Sequence, residues 1–163
     1  MVTSQQPVDE AVVAEETGEG LFQVRISTGD HSLLMDEPVE YGGLSTGPGP
    51  FDLLSAALGA CTLMTLKLYA KRKGWTLDRL SVRVTHRKGA AGGRDRFDRV
   101  LELGDVTDEQ REGLLKIAER CPVDLLLERG ADVTATVADA KLAAAAADVL
   151  HAQELDEACR DVG

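Results

Sequence analysis

The sequence predicts an α+β fold, and three observations support this prediction. Two regions alternate apolar and polar residues on both sides of a glycine-containing turn, which is typical of antiparallel hairpins. Residues 51–73 are apolar on nearly every face, which predicts a buried central helix. A capping box and a later Cys-Pro step predict a second helical region.

The first hairpin follows a leader that has no clear period. Phe22, Val24 and Ile26 alternate with polar residues, and a turn at residues 28–30 leads to a second strand at residues 31–35. Proline and glycine then make residues 36–50 an irregular loop. The central helix is expected to end in a basic last turn before Gly74, a natural stop.

The second hairpin and the second helical region follow in order. Strands are predicted at residues 80–84 and around 97–103, joined by a glycine-rich turn. Thr107 is the expected N-cap of a helix, with Gln110 completing the capping box. A final strand is predicted at residues 133–137, and an additional helix in the Ala-rich tail, residues 140–159.

These elements divide the chain into three predicted parts. Residues 1–19 are interpreted as a flexible leader, residues 20–138 as one compact domain, and residues 139–163 as a helical extension. The extension is expected to pack on the domain or on another subunit, and recruitment of a protein partner is the weaker alternative.

Composition and charge exclude several functions. The formal net charge is -10 and the basic residues are scattered, so a nucleic-acid partner is not expected. No apolar run comes near the length required to span a bilayer, and residues 1–19 lack the pattern of a signal peptide. We therefore expect a cytoplasmic protein with no membrane association.

Three cysteines are an odd number in a chain with no export signal, which favours thiol chemistry or buried thiols over a disulfide framework. The three histidines are isolated from the cysteines, so neither a metal site nor a cofactor is expected.

The pattern alone leaves the role of each cysteine open. Cys61 lies in the middle of the apolar helix, where an inert core thiol is the favoured interpretation. Cys121 is the expected N-cap of a helix whose first residue is Pro122, and the positive end of that helix favours a thiolate. A thiol that merely occupies a kink is an equal alternative. Cys159 is interpreted as an incidental surface or interface residue.

Two motifs carry a resemblance to a known family. Residues 47–62, GPGPFDLLSAALGACT, and residues 119–124, ERCPVD, resemble the two cysteine motifs of the osmotically inducible protein C / organic hydroperoxide resistance (OsmC/Ohr) family, in its less characterised OsmC-like branch. The resemblance runs from about residue 29 to about residue 137. It implies two central helices, each with one cysteine, surrounded by antiparallel sheets in an intertwined homodimer.

The resemblance also implies a peroxidase mechanism. Cys61 would attack an organic hydroperoxide, Cys121 would capture the sulfenic acid as a disulfide, and an external dithiol would reduce that disulfide in antioxidant defence. A pocket lined by Phe51, Leu54, Leu58 and Met64 would favour apolar substrates. The rival interpretation is a redox sensor, or a protein that binds a small apolar ligand, without catalysis.

The sequence departs from the family at the cation that is expected to stabilise the Cys61 thiolate. Its best-known members use an arginine held by a glutamate at the start of the central helix, whereas Asp52 is the acidic residue here. No arginine occurs between Arg25 and Arg72, so Arg25 on the first hairpin is the predicted substitute, with Arg96 and Arg99 as further candidates. The predicted site therefore comprises Cys61, Cys121, Asp52 and Arg25.

Overall fold

The computed structural model describes residues 11–144 and 150–160. These residues form two compact units, one from residues 11–50 and 134–144 and the other from residues 51–133 and 150–160. Most of the predicted leader, residues 1–10, lies outside the described residues, as do residues 145–149 and 161–163 of the tail.

The first unit contains a three-stranded antiparallel sheet in the order β1-β2-β3. Strands β2 (Val24–Thr28) and β3 (His31–Met35) form the predicted hairpin, with Thr28 opposite His31. Strand β1 (Val13–Glu16) lies within the predicted leader, which is therefore partly ordered. Its pairing with β2 supplies the stabilisation, and a four-residue strand is too short to show a period.

The loop after β3 is organised by one buried carboxylate. Asp36 accepts hydrogen bonds from the amides of Leu44 (2.9 Å) and Thr46 (3.2 Å) and from the Thr46 hydroxyl (2.8 Å). These bonds satisfy backbone donors in a segment without regular structure, and so fix the loop that leads to the central helix.

The second unit begins with the central helix α1 (Pro50–Lys73), which confirms the predicted helix. A two-stranded antiparallel sheet follows, formed by β4 (Ser81–Arg87) and β5 (Arg96–Glu102). One face of α1 is buried, and the opposite face is exposed although it is apolar. By length and composition alone α1 could also span a membrane, which is weak evidence because core helices of soluble proteins pass the same test.

Two shorter helices complete the core of this unit. Helix α2 (Asp108–Ala118) begins at the predicted capping box, in which the Thr107 hydroxyl accepts from the Gln110 amide. Helix α3 (Pro122–Arg129) begins directly after Cys121, as the Cys-Pro step predicts. The larger core cluster joins α1 to α2 through buried side chains of both helices: Leu66, Tyr69, Leu114, Ile117 and Ala118.

The C-terminal predictions are only partly correct. The strand predicted at residues 133–137 is wrong: no strand forms there, and Val133 and Val137 are 91% and 94% exposed. A strand needs a neighbour for its backbone groups, and alternation in sequence does not supply one. Residues 140–144 of the predicted tail helix are not helical, residues 145–149 lie outside the described residues, and α4 (Leu150–Arg160) follows them.

Candidate functional site

Cys61 lies on the buried face of α1, two residues after Gly59, which packs against β4. The approach depends on Gly59, because a Cβ at this position would lie 3.3 Å from Cγ2 of Val84. Val84 and Phe97, one from each strand of the second sheet, pack against the cluster that contains Cys61. The hairpin therefore forms an apolar wall beside this sulfur.

Cys121 joins the same buried cluster from the start of α3. The chain adopts an extended conformation at Cys121 (φ -65°, ψ 134°), and Pro122 then starts the helix at a position where a missing amide hydrogen costs nothing. Cys61 is 2% exposed and Cys121 is 0% exposed, and both are free thiols. These two residues, which we call the cysteine pair, pack with Leu58 and Leu155.

Cys61 and Cys121 lie in one buried cluster, and each thiol shifts the pKa of the other. The amide of Val123, in the first turn of α3, donates to Sγ of Cys61 over 3.5 Å. The start of α3 thus serves both cysteines, since the Val123 amide donates to Cys61 and the Asp124 amide lowers the pKa of Cys121. The Thr62 hydroxyl lies 3.7 Å from Sγ of Cys121 and 2.8 Å from the carbonyl oxygen of Leu58.

Arg99 on β5 brings a positive charge to the cysteine pair. Its Nη1 donates to the Thr62 hydroxyl (3.0 Å) and to the carbonyl oxygen of Ala118 at the end of α2 (2.9 Å). Its Nη2 pairs with the Asp124 carboxylate in the first turn of α3. One guanidinium thus connects β5 to all three helices around the site, and its side chain is only 15% exposed.

The carboxylate of Asp124 is paired with Arg99, so the guanidinium balances its negative charge near the sulfurs. Burial raises the pKa of Asp124, and the charge of Arg99 and its hydrogen bond oppose that rise. The sequence left two roles open for Asp124, opposing the thiolate or stabilising the helix dipole. The ion pair with Arg99 is a third role, which the sequence pattern does not contain.

The two thiols of the pair have opposite pKa shifts. The pKa of Cys121 is lowered to about 6, first because Cys61 donates to its sulfur, and further by the Asp124 amide, the Thr62 hydroxyl and the charge of Arg99, against the effect of burial. The pKa of Cys61 is raised, because losing its proton would break that bond, and burial adds to the rise. Near neutral pH the pair therefore holds one negative charge.

The other two residues of the predicted site are Asp52 in the second unit and Arg25 in the first. Asp52 is in the first turn of α1 and lines a groove of about 690 Å³ with Ser55, Ala60, Val82 and His86. Arg25 belongs to the first unit, on β2, where it stands opposite Glu15 of β1. Participation of Asp52 and Arg25 in the chemistry stays a prediction.

The apolar pocket expected from sequence is different in the structure. Leu58 does pack against the cysteine pair, but Phe51, Leu54 and Met64 are exposed. The wall of the pair includes instead Val84, Phe97, Val123, Leu127 and Leu155. A helix that is apolar all round gives no period from which the inward face could be identified.

Sequence reasoning also missed Thr62 and Leu155, and it misplaced Cys159. Thr62 follows Cys61 directly, so helical spacing alone gave no reason to place its hydroxyl beside another cysteine. Cys159 is buried at 3% exposure, and its thiol donates to the carbonyl oxygen of Thr65 over 3.7 Å. The charged neighbours of Cys159 in sequence concealed its position on the inner face of α4.

A metal centre has no donor set in this part of the chain. Within residues 11–144 and 150–160, no group of three or more His, Cys, Asp or Glu side chains could hold a metal ion. The cysteine pair offers two sulfurs, fewer than the four ligands of a structural zinc site.

Solved structures share this fold. An osmotic stress induced and detoxification response protein from Psychrobacter arcticus 273-4 aligns with a TM-score of 0.59 and 17% identity, over 77% of this chain and 90% of that one. An OsmC-like protein from Mycoplasma pneumoniae aligns with a TM-score of 0.57 and 20% identity, over 76% of this chain and 89% of that one. An organic hydroperoxide resistance protein OsmC from Legionella pneumophila aligns with a TM-score of 0.54 and 21% identity, over 72% of this chain and 88% of that one.

Two further comparisons concern the sequence itself. No curated protein matches the chain. The model of the OsmC-like protein family matches residues 42–136, which include both cysteines of the pair and all of α1, α2 and α3. The mixed α/β architecture with antiparallel sheets agrees with that match. The chain belongs to the family of OsmC-like proteins.

Proposed function

We propose that this protein is a thiol peroxidase that reduces organic hydroperoxides through Cys61 and Cys121. The observation that carries the proposal is the cysteine pair itself, two free thiols from distant parts of the sequence packed in one buried cluster beside a partly buried arginine. Buried cysteines that serve only packing have no need of such a cation.

The proposed reaction has two steps. The proton of the pair moves from Cys61 to Cys121, so that the charge lies on Cys61, where the Val123 amide stabilises it. The Cys61 thiolate attacks the distal oxygen of the hydroperoxide, the O–O bond breaks, and the alkoxide takes the proton from Cys121 and leaves as an alcohol. The Cys121 thiolate then attacks the sulfur of the resulting sulfenic acid, which forms the disulfide and expels hydroxide, and the hydroxide takes up a solvent proton to give water.

The low pKa of Cys121 suits the resolving role. A thiol with a pKa of about 6 is largely ionised at neutral pH, so it reacts before Cys61 is oxidised irreversibly. An external dithiol then reduces the disulfide by thiol–disulfide exchange, which returns both cysteines to the thiol form for the next cycle.

Known proteins of similar fold support the substrate class. The neighbour from Legionella pneumophila is an organic hydroperoxide resistance protein, and so is a neighbour from Vibrio cholerae with 21% identity and a TM-score of 0.54. The apolar wall formed by Val84, Phe97 and Leu155 is suited to the alkyl or aryl group of an organic hydroperoxide, a group that hydrogen peroxide lacks.

The test is turnover of cumene hydroperoxide by the purified protein with a dithiol reductant. We expect catalysis that exceeds the rate with hydrogen peroxide. Absence of turnover with several dithiols would reject the proposal. If Cys121→Ser rather than Cys61→Ser abolished the first oxidation step, the two roles would be exchanged.

A second candidate function is a redox sensor or a binder of a small apolar ligand. It is favoured by the complete burial of both thiols, which slows any catalytic cycle. Steady-state kinetics separates the two functions, since a sensor is oxidised once by hydroperoxide and does not turn over at a rate that increases with dithiol concentration.

We also propose that the protein acts as a homodimer. Several apolar side chains of α1 are exposed, among them Phe51, Leu54, Ala57 and Met64, and clusters of such side chains mark interaction sites. Val133 and Val137 are exposed as well. Light scattering should give the dimer mass, and Met64→Glu should shift it toward the monomer, while Lys116→Glu, an exposed lysine on α2, should not.

Asp52 and Arg25 remain proposed members of the peroxide site. Substituting each separately, as Asp52→Asn and Arg25→Gln, should lower kcat/KM for cumene hydroperoxide if they contribute. Unchanged kinetics in both variants would leave Arg99 as the activating cation.

A further inference from the structure

Asp124 contributes to the surroundings of the cysteine pair through its backbone and through its side chain. Its amide lowers the pKa of Cys121, and its carboxylate forms the ion pair with Arg99. The side chains of Asp124 and Arg99 are each only 15% exposed, so this ion pair is largely withdrawn from solvent. A carboxylate near a thiolate normally opposes its ionisation, because like charges repel.

The register of the β4-β5 hairpin fixes the side from which Arg99 reaches the pair. Arg99 stands opposite Val84, and partners across an antiparallel ladder point to the same face of the sheet. Val84 and Phe97 pack against the cysteine pair. The backbone therefore directs the Arg99 side chain toward the pair, but a side chain of this length needs acceptors to hold its guanidinium in one place.

Three acceptors hold this guanidinium, and Asp124 is the charged one among them. Nη1 of Arg99 donates to the Thr62 hydroxyl over 3.0 Å and to the carbonyl oxygen of Ala118 over 2.9 Å. Nη2 pairs with the carboxylate of Asp124. A charged acceptor binds a guanidinium more strongly than a neutral one, so Asp124 is the main anchor of Arg99.

The Thr62 hydroxyl connects Arg99 to Cys121. Its oxygen accepts from Arg99 and lies 3.7 Å from Sγ of Cys121. A hydroxyl that accepts from a cation becomes a stronger donor, since hydrogen bonds in a chain polarise one another. The groups that lead from the carboxylate to the sulfur are thus Asp124, Arg99, Thr62 and Cys121.

The charged and titratable groups that act on Cys121 or on Asp124 come from several elements. They include Cys61 on α1, Arg99 on β5, Glu119 at the end of α2 and Glu128 on α3. Arg99 is the cation of this set. Its position therefore decides whether the electrostatic effect at the sulfur favours or opposes the thiolate.

We propose that Asp124 is a positioning residue that holds Arg99 against Thr62, and that through this arginine it favours the Cys121 thiolate although it carries a negative charge itself. Within the proposed function, on which this last role rests, Asp124 supports the step in which Cys121 attacks the sulfenic acid. Its effect on the thiolate needs no peroxide and is a property of the reduced protein.

The test is the pH titration of the thiolate in the reduced full-length protein, followed by its ultraviolet absorbance, so that no reagent has to reach the buried sulfurs. Asp124→Asn keeps the shape of the side chain and removes its charge. If Asp124 acted only as a nearby negative charge, the midpoint would fall. Because it holds Arg99, the midpoint should instead rise by about half a unit to one unit, which leaves about three- to tenfold less thiolate at acidic pH.

The same substitution in an Arg99→Gln background should have the opposite sign. Without the arginine only the charge of Asp124 remains, so Asp124→Asn should lower the midpoint there by about half a unit. A lowered or unchanged midpoint in the single variant would overturn the proposal, and so would equal shifts in the two backgrounds. The titration uses no peroxide, so it gives its answer whether or not the protein turns over a hydroperoxide.

Two control variants separate positioning from general damage to α3. Glu128→Gln removes a carboxylate from the same helix, and Arg94→Gln removes hydrogen bonds to the carbonyl oxygens of Leu127 and Glu128 at the end of this helix. Neither should raise the midpoint, and a rise in either that equals the rise in Asp124→Asn would overturn the proposal. If Asp124→Asn fails to fold, Asp124→Ser is the second neutral variant, and the same rise is expected.

Discussion

Two regions of this molecule bury thiols, and they do so with opposite consequences. The cysteine pair has a donating thiol, a helix amide, a hydroxyl and the charge of Arg99 around its sulfurs, and the pKa of Cys121 falls to about 6. Cys159 has burial and one carbonyl acceptor, and burial raises its pKa despite nearby Arg72 and Arg120. Burial alone therefore raises the pKa of a thiol, whereas hydrogen-bond donors and a cation near the sulfur lower it.

The largest expected difference between the regions is in catalysis. Cys61→Ser should lower cumene hydroperoxide turnover by at least about 100-fold, because the nucleophile is lost. Cys159→Ser should leave turnover within about twofold, since this thiol touches neither sulfur of the pair in the proposed reaction. Similar losses in both variants would contradict the distinction between the two regions.

The pH dependence of thiol labelling sharpens the comparison. A thiolate is the reactive form, so labelling of the pair should have a midpoint near 6 and fall about tenfold per pH unit below it. Cys159 should have its midpoint at or above the ordinary value of 9.0. Site-resolved alkylation from pH 4 to 10 measures both, and one shared midpoint for all three thiols would argue against the account.

The charge of Arg99 should account for part of the low midpoint. In Arg99→Gln the pKa of the pair should rise by about one unit, so that labelling at pH 5 slows by about tenfold. The control is Arg96→Gln, on the same strand but 73% exposed and paired with Asp98, which should leave the midpoint unchanged. If the labelling midpoint of Arg99→Gln equalled that of the wild type, a group other than Arg99 would have to lower the pKa of the pair.

The Thr62 hydroxyl should account for a further part of the low midpoint. Thr62→Val removes the group between Nη1 of Arg99 and the sulfur of Cys121, and the midpoint should rise by about one unit, a tenfold change in thiolate at acidic pH. Thr85→Val on β4 is the control, because Thr85 is exposed away from the pair. The same alkylation series measures both variants.

Much of the fold was predictable because its signals are local. The capping box at Thr107, the Cys-Pro step at Cys121 and the hairpin turn at residues 28–30 each depend on residues a few positions apart. The predicted strand at residues 133–137 failed because pairing depends on a distant partner. Strand β1 was missed for the same reason, since β2 stabilises it.

The candidate site was predictable only where a motif named its residues. The two cysteine motifs identified Cys61 and Cys121, but the sequence offered several arginines and no means to rank them. Arg99 is selected by the register of β5, which directs this side chain toward Thr62 and Asp124. Contacts of this kind join four elements of the fold, and no spacing in the sequence encodes them.

The most direct test of the central claim is the product of a single oxidation. The reduced protein is treated with one equivalent of cumene hydroperoxide, and the intact mass and the proteolytic peptides are then determined without reduction. We predict a loss of two hydrogen atoms and one cross-linked peptide pair that joins Cys61 to Cys121, with Cys159 still a free thiol. An unchanged mass, or a disulfide that involves Cys159 instead, would contradict the account.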